Sequence, residues 1–358
     1  MKIGILTLPL KSNYGGILQT YALLTFLRKQ GYDAWYIRRR WNSEKQSKLH
    51  QLLKYFYHIF IIYKFNKFIK YYLQPQTEII DTRDKVKNLL SKNFDAFIVG
   101  SDQIWRMRYV YGADYNYFLD FTKNIHIRRI AYAASFGVDY WDDNNPEVSI
   151  PIVKGLLQKF NAISVREDSG IKLCANLFGV KAEHVLDPTL LLNKEDYISN
   201  LKLKVNPQNY IAVYVLDMTD TKKQLINAYS KKLKLPIKYI NQTKLSSLSK
   251  KNFWKELCQP SIKSWLENIA NASFVITDSF HGTAFSINFE RQFISIANEK
   301  RGLDRFISLL RMFDLENRLL KDTCTTPIDH KEINYDSIKT FLNRERHLST
   351  NYLIKNLQ

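Results

Sequence analysis

Cysteine is scarce in this chain, and the common metal and cofactor signatures are missing. Cys174, Cys258 and Cys324 are odd in number and far apart, with no CxxC pair. That excludes a disulfide framework or a zinc ribbon and suits a reducing compartment. No HExxH occurs and the seven histidines are scattered, so no protein-built metal site is expected. The nicotinamide fingerprint GxGxxG and the Walker pattern are both absent. No DxD triplet occurs, which argues against a metal-dependent nucleotide-sugar transferase. No run of 18 uncharged apolar residues exists, so no transmembrane helix is expected. The N-terminal apolar run ends at Lys11, too short for a signal peptide and without a small-residue cleavage site. It reads as a buried first strand.

Acidic residues are also few. Thirty-four Asp and Glu face 53 Lys and Arg, a formal charge of +19. Such a surface favours phosphates, acidic sugars, nucleic acid or anionic lipid. The 358 residues are ample for two domains, and 45 % hydrophobic with 24 % charged residues is ordinary for a soluble globular chain.

Apolar periodicity alternates between strand and helix from the start. Ile3 to Leu8 reads as a strand, Ile17 to Gln30 as a helix stopped at Gly31, and Ala34 to Ile37 as a strand. Further strands are expected at 96–99, 130–134, 162–165 and 185–186. After a polar linker at 193–208, a second set is expected at 210–216, 237–240, 274–277 and 293–297. The expected architecture is α/β: two Rossmann-like domains, 1–200 and 205–330, with a cleft between them, followed by basic C-terminal helices at 331–358. Residues 42–75 stand apart as a basic, aromatic helical insertion. Its lysines interleave with Phe and Tyr, as in a helix lying at a membrane interface, or in one packed on a domain edge with its lysines reaching solvent.

Open parallel sheets gather ligands at the carboxyl ends of their strands. Four such ends carry small and polar residues. Asn13, Tyr14, Gly15 and Gly16 open the first helix, where free N–H groups suit an anion; the same glycines would also serve a tight turn. Ser101, Asp102 and Gln103 follow the third expected strand, with Trp105 just beyond, and Ser135 ends the fourth. Asp278, Ser279 and His281 end the strand at 274–277. His281 sits where a helix opens, and its near-neutral pKa suits proton donation; the alternative is a simple helix cap. Arg166 ends the strand at 162–165, placed either to grip an anion or to pair with Glu167 or Asp168.

Six segments then carry a resemblance. They are N-Y-G-G-x-L-Q (13–19), F-D-A-F-I-V-G-S-D-Q-I-W (94–105), R-I-A-Y-A-A-S-F-G (129–137), S-V-R-E-D (164–168), V-L-D-P-T (185–189) and V-I-T-D-S-F-H-G-T-A-F-S (275–286). Together and in this order they resemble the polysaccharide pyruvyltransferase family. The resemblance implies a fold similar to the glycosyltransferase-B type. It implies phosphoenolpyruvate as donor substrate, with no separate cofactor, and a ketal formed on a saccharide during cell-surface polysaccharide (capsule or exopolysaccharide) synthesis. The family's donor-binding arginine and histidine map onto Arg166 and His281. Many members carry Arg-Leu-His where this chain has Ser279-Phe280-His281, and Arg301 or Arg305 is expected to replace the missing arginine. On this reading His281 is expected to be the general acid, and Asp102 either orients or deprotonates the acceptor or only caps the helix that follows. Arg166, Arg305, Arg301, Ser279, Asn13, Gly15 and Gly16 would bind the donor. Tyr14, Gln19, Ser101, Gln103, Trp105 and Ser135 would bind the acceptor. The expected place is the cytoplasm, with a peripheral position at the inner membrane face and a lipid-linked acceptor as options. A metal-free nucleotide-sugar glycosyltransferase and a basic nucleic-acid-binding protein are the rival readings.

Overall fold

The computed structural model describes residues 1–40, 62–110, 115–240, 260–298, 301–329 and 331–358. The chain divides into two compact units. The first holds Met1–Gln46, Ile69–Leu191 and Leu342–Gln358; the second holds Ser47–Phe68 and Leu192–Phe341.

The first unit contains β1 (Lys2–Leu6), α1 (Tyr14–Lys29), β2 (Asp33–Tyr36), β3 (Ala96–Val99), β4 (Arg128–Ala134), β5 (Ala162–Val165) and β6 (Glu183–His184). Between β2 and β3 lies α2 (Tyr63–Tyr72), which spans the boundary between the units. Helix α3 (Pro146–Leu157) precedes β5, and α4 (Asp168–Phe178) follows it. Every strand pairing is parallel, in the order β2-β1-β3-β4-β5-β6. Strands such as β3, Ala-Phe-Ile-Val, are buried at every position because helices cover both faces. Helix α1 is buried from Tyr14 to Leu24. Arg28 and Lys29 sit in its last turn, where they complement the helix dipole. Strand order reverses between β1 and β3, so the crevice at their carboxyl ends is the switch point where ligands settle in such sheets.

The second unit contains α5 (Lys194–Leu201), β7 (Gln208–Tyr214), α6 (Asp220–Leu233), β8 (Ile237–Tyr239), α7 (Ile262–Ala270), β9 (Ala272–Thr277), α8 (Phe280–Asn288), β10 (Gln292–Ile296), α9 (Asp304–Met312) and β11 (Leu319–Leu320). Its sheet is also parallel, in the order β11-β10-β9-β7-β8, and reverses between β7 and β9. Each unit has its own apolar core. Trp105, Phe118 and Phe136 belong to the first; Ile211, Ile276 and Ile294 belong to the second.

Three expectations need correction. Residues 193–208 do not form a continuous linker. Asn193 and Asp196 exchange side-chain-to-backbone hydrogen bonds as a capping box, which starts α5, and the units divide at Leu191. The short strand lies at 183–184 rather than 185–186, because Asp187 bonds the Thr189 amide and turns the chain there. The C-terminal residues are not a separate appendage. They form one helix, α10 (Tyr335–Leu357), whose residues from Leu342 onward belong to the first unit. Of the basic aromatic insertion, residues 41–61 lie outside the described part. In α2, Phe65, Phe68 and Ile69 are buried while Lys67 and Lys70 face outward. Tyr63 and Tyr71 of the same helix are exposed. Among the described residues no helix is long and apolar enough to cross a membrane.

Candidate active site

A cavity of about 340 Å³ sits at the β1/β3 switch point. Its wall is the chain leaving β1, from Thr7 to Lys11, with Asn13 and Gly16 at the start of α1. Asp102 follows β3 into it, and Arg108 and Tyr109 close another side. Asn13 is the residue before α1 but makes no side-chain cap, and the first turn of α1 carries no acid. The opening amides of α1 therefore present positive potential toward the cavity. Lys11 is exposed and has no ion-pair partner among the described residues. Arg108 is 64 % exposed and pairs with Asp142 at 3.0 Å. A carboxylate and two cations thus line a space of ligand size.

Beneath this cavity the polar residues are bound to one another. Arg166 donates from Nη1 to Asp187 Oδ2 at 2.7 Å, and its Nη2 lies 3.9 Å from Asp102 Oδ1. Burial pulls the guanidinium pKa down, but Asp187, Asp102 and Glu167 together outweigh it and hold it above the ordinary value. Asp187 also accepts Ser101 Oγ at 3.2 Å, Thr189 Oγ1 at 2.7 Å and the Thr189 amide. Gln19 Oε1 accepts the Ser101 amide, and Gln19 Nε2 donates to Thr7 Oγ1. This ties the loop after β3 to α1 and to the end of β1. Gly100 has φ +126°, and a Cβ there would stand 2.0 Å from the Tyr132 carbonyl oxygen. Only glycine lets β3 turn so close to β4.

In the second unit, Asp278 ends β9 with no solvent exposure. Its Oδ1 accepts the Leu216 amide at 2.6 Å; its Oδ2 accepts the Asp217 amide and Lys222 Nζ at 2.7 Å. Asn298 Nδ2 adds a bond at 3.3 Å. The carboxylate thereby pins the loops after β7, β9 and β10 together. Ser279 caps α8 by accepting the Gly282 amide, and His281 lies in the first turn, 6 % exposed. A Cβ at Gly282 would stand 2.3 Å from Thr277 Oγ1, so this turn packs directly on its own strand. Arg305 lies against the Phe280 ring, 5.7 Å from its centroid, and donates to the Arg301 carbonyl. Arg301 grips Asp217 with Nε and Nη2.

The expected site residues therefore separate into rim and foundation. Asn13, Gly16 and Asp102 line the first cavity. His281, Ser279, Arg305 and Arg301 meet at the second switch point. Arg166 pairs with Asp187 and lies 3.9 Å from Asp102, and at 3 % exposure it is buried rather than open to the cavity. Trp105 is a correction. Its indole is fully buried, stacks on Phe118 at 5.6 Å and donates to the Tyr117 carbonyl, so it is core rather than an acceptor platform. Tyr14, Gly15, Gln19, Ser101 and Ser135 are likewise buried, and Gln103 accepts from Arg106 and packs on Gly137. None of these six lines the cavity. The sequence reading missed Lys11, Arg108 and Tyr109. Lys11 lies just beyond the first strand, and Arg108 and Tyr109 lie in the longer stretch after β3, where only loop geometry brings them back.

The family model for polysaccharide pyruvyl transferase matches residues 13–300. The chain belongs to the polysaccharide pyruvyl transferase family. The match takes in both switch points, from Asn13 to the turn at His281. No curated protein sequence matches the chain. Among solved structures, UDP-GlcNAc 2-epimerase from Neisseria meningitidis, bound to UDP-GlcNAc, is similar with TM-score 0.54 at 9 % identity, covering 100 % of this chain and 99 % of that one. The Methanocaldococcus jannaschii UDP-GlcNAc 2-epimerase, in complex with UDP-GlcNAc and UDP, gives 0.52 at 12 % identity, covering 100 % and 99 %. That of Rickettsia bellii gives 0.51 at 12 %, covering 100 % and 96 %. At such identities the likeness concerns the fold, which is of the glycosyltransferase-B type: two parallel sheets flanked by helices.

Proposed function

We propose that this transferase moves the pyruvyl group of phosphoenolpyruvate onto two hydroxyls of a saccharide as a ketal, without a separate cofactor. The acceptor in this reading is an intermediate of capsule or exopolysaccharide synthesis, carried on lipid at the inner face of the membrane. The observation that carries the reading is the family match over residues 13–300, whose motifs fall at the carboxyl ends of parallel strands in both sheets, those at the two switch points included.

The chemistry assigns roles by charge. Phosphoenolpyruvate brings a carboxylate and a phosphate, and Arg305, which lies against the Phe280 ring, would meet them together with Arg301. His281 donates a proton to the methylene carbon, and the neighbouring carbon becomes electrophilic. One sugar hydroxyl adds there and loses its proton. The second hydroxyl displaces phosphate and closes the ring, and its proton leaves on the inorganic phosphate. Asp102 orients the acceptor or takes its proton, held in place by Arg166. Lys11, Arg108 and the start of α1 would receive an anionic part of the acceptor.

The test combines His281→Ala with a ligand screen. Turnover should fall by ~100- to 10,000-fold, the usual weight of a general acid, with the melting temperature little changed. Phosphoenolpyruvate should raise that temperature, and UDP-sugars or CMP-sugars should not. Undiminished turnover in the variant removes His281 from the mechanism. Stabilisation by a nucleotide sugar alone would replace this reading with a glycosyltransferase.

A further inference from the structure

A second groove, about 540 Å³, lies on the first unit beside α3, away from the β1/β3 cavity and sharing no residue with it. Its apolar wall is helical. Pro151, Ile152 and Gly155 of α3 line it, and Val148, one turn before Ile152 on the same helix face, continues the apolar stripe beyond the groove. Val148 is 63 % exposed and Ile152 is 42 % exposed. A Cβ at Gly155 would meet nothing within 4 Å, so this face is open. The rim is cationic, formed by Arg83, Lys123 and Lys159. The one acid among its described lining residues, Asp120, accepts Arg83 Nη2 at 3.2 Å and Asn116 Nδ2 at 2.8 Å, so it is engaged away from the lysines. Lys159 donates to the Lys123 carbonyl oxygen at 3.0 Å, which holds its ammonium group at the rim.

We infer that this face of α3 docks the protein on an anionic bilayer. An exposed apolar stripe bordered by lysines matches the boundary between acyl chains and anionic headgroups. A second copy of the chain fits poorly. A twofold contact through this patch would set lysines against lysines. Helix α2 is not the docking element over its described residues, because Phe65, Phe68 and Ile69 are already buried. The inference draws its purpose from the lipid-linked acceptor in the proposed reaction. Flotation needs no turnover, however, so failure of one can be told from failure of the other.

The experiment is flotation of the full chain with phosphatidylcholine vesicles, alone or with roughly one third phosphatidylglycerol. The wild type should float with the anionic vesicles only. Each cation near such a surface contributes roughly fivefold in partitioning, so Lys123→Glu with Lys159→Glu should lower binding by ~25-fold or more and weaken its salt dependence. Val148→Ser with Ile152→Ser should lower binding several-fold while keeping the salt dependence. These side chains are exposed, and melting curves check that each variant folds. Equal flotation of wild type and both variants overturns the inference, as does a wild type that never floats. So does a result in which the serine pair turns a dimer into a monomer in sedimentation while flotation persists; that would make the face a contact between copies.

Discussion

Both units bury a carboxylate just past the carboxyl end of a parallel strand, and they use it differently. In the first, Asp187 meets a guanidinium and two hydroxyls, and the network it anchors runs under a cavity. In the second, Asp278 meets two backbone amides, an ammonium and an amide side chain, and it joins three loops at their roots. The first arrangement holds a side chain, Asp102, from below at a ligand-sized opening. The second holds backbone, so that His281 starts its helix at a fixed place. The difference separates two ways of preparing a polar site: a charge network beneath it, or a frame of loops around it.

The largest expected effects come from removing either hub. Asp187→Ala leaves Arg166 buried beside a lost partner, and Asp278→Ala does the same to Lys222. Each should lower stability by about 3–5 kcal/mol, the range for breaking a buried ion pair by truncating one side. Cys174 tells the two apart. It is fully buried in the first unit's core, and burial pushes its thiol up to about 12, so it should resist thiol reagents in the native protein. Asp187→Ala should speed its labelling under mild denaturant, whereas Asp278→Ala should leave it protected. Equal labelling in the two variants would mean that the units do not respond separately.

Next comes Trp105→Ala, expected to cost about 3–5 kcal/mol at the upper end of aromatic truncations, with no change in acceptor KM for the folded fraction. A variant that folds as the wild type but loses acceptor affinity would return Trp105 to the site. Gly282→Ala should be milder, about 1–3 kcal/mol, because a Cβ must push Thr277 Oγ1 aside. Its activity should fall more than its stability, since the displaced turn carries His281.

Most of the fold was legible because parallel strands buried on both faces are apolar throughout, and their ends are marked by Gly, Ser, Asp and Asn. Val99 before Gly100 and Thr277 before Asp278 are such marks. The site was legible only to the depth of those marks. A polar residue at a strand end can point up into a crevice or sideways into a neighbouring loop, and local sequence does not distinguish the two. Gln19 and Ser101 went sideways and bond each other across 82 residues of chain. Asp187 shows the converse. Its motif was visible, but its partner Arg166 lies 21 residues earlier, just past another strand, so the pairing appeared only in three dimensions. Asn193 and Asp196 were different. Their capping box is a local signal, which a polar, proline-containing stretch concealed.

The smallest effect tests whether the open rim over the first network binds anything. Lys11 and Arg108 are exposed at the cavity mouth, and Arg108 gives one bond to Asp142, which Arg106 Nε already holds at 2.7 Å. Exposed ion pairs contribute little to stability, so Lys11→Ala and Arg108→Ala should melt within about 0.5 kcal/mol of wild type. If an anionic part of the acceptor enters here, each should raise acceptor KM by roughly three- to tenfold, the loss of one charge-assisted hydrogen bond at a partly exposed site, with kcat held. The KM for phosphoenolpyruvate should not move. A rise in the donor KM instead would assign the cavity to phosphoenolpyruvate, and Asp102 would then stand beside the donor rather than the sugar.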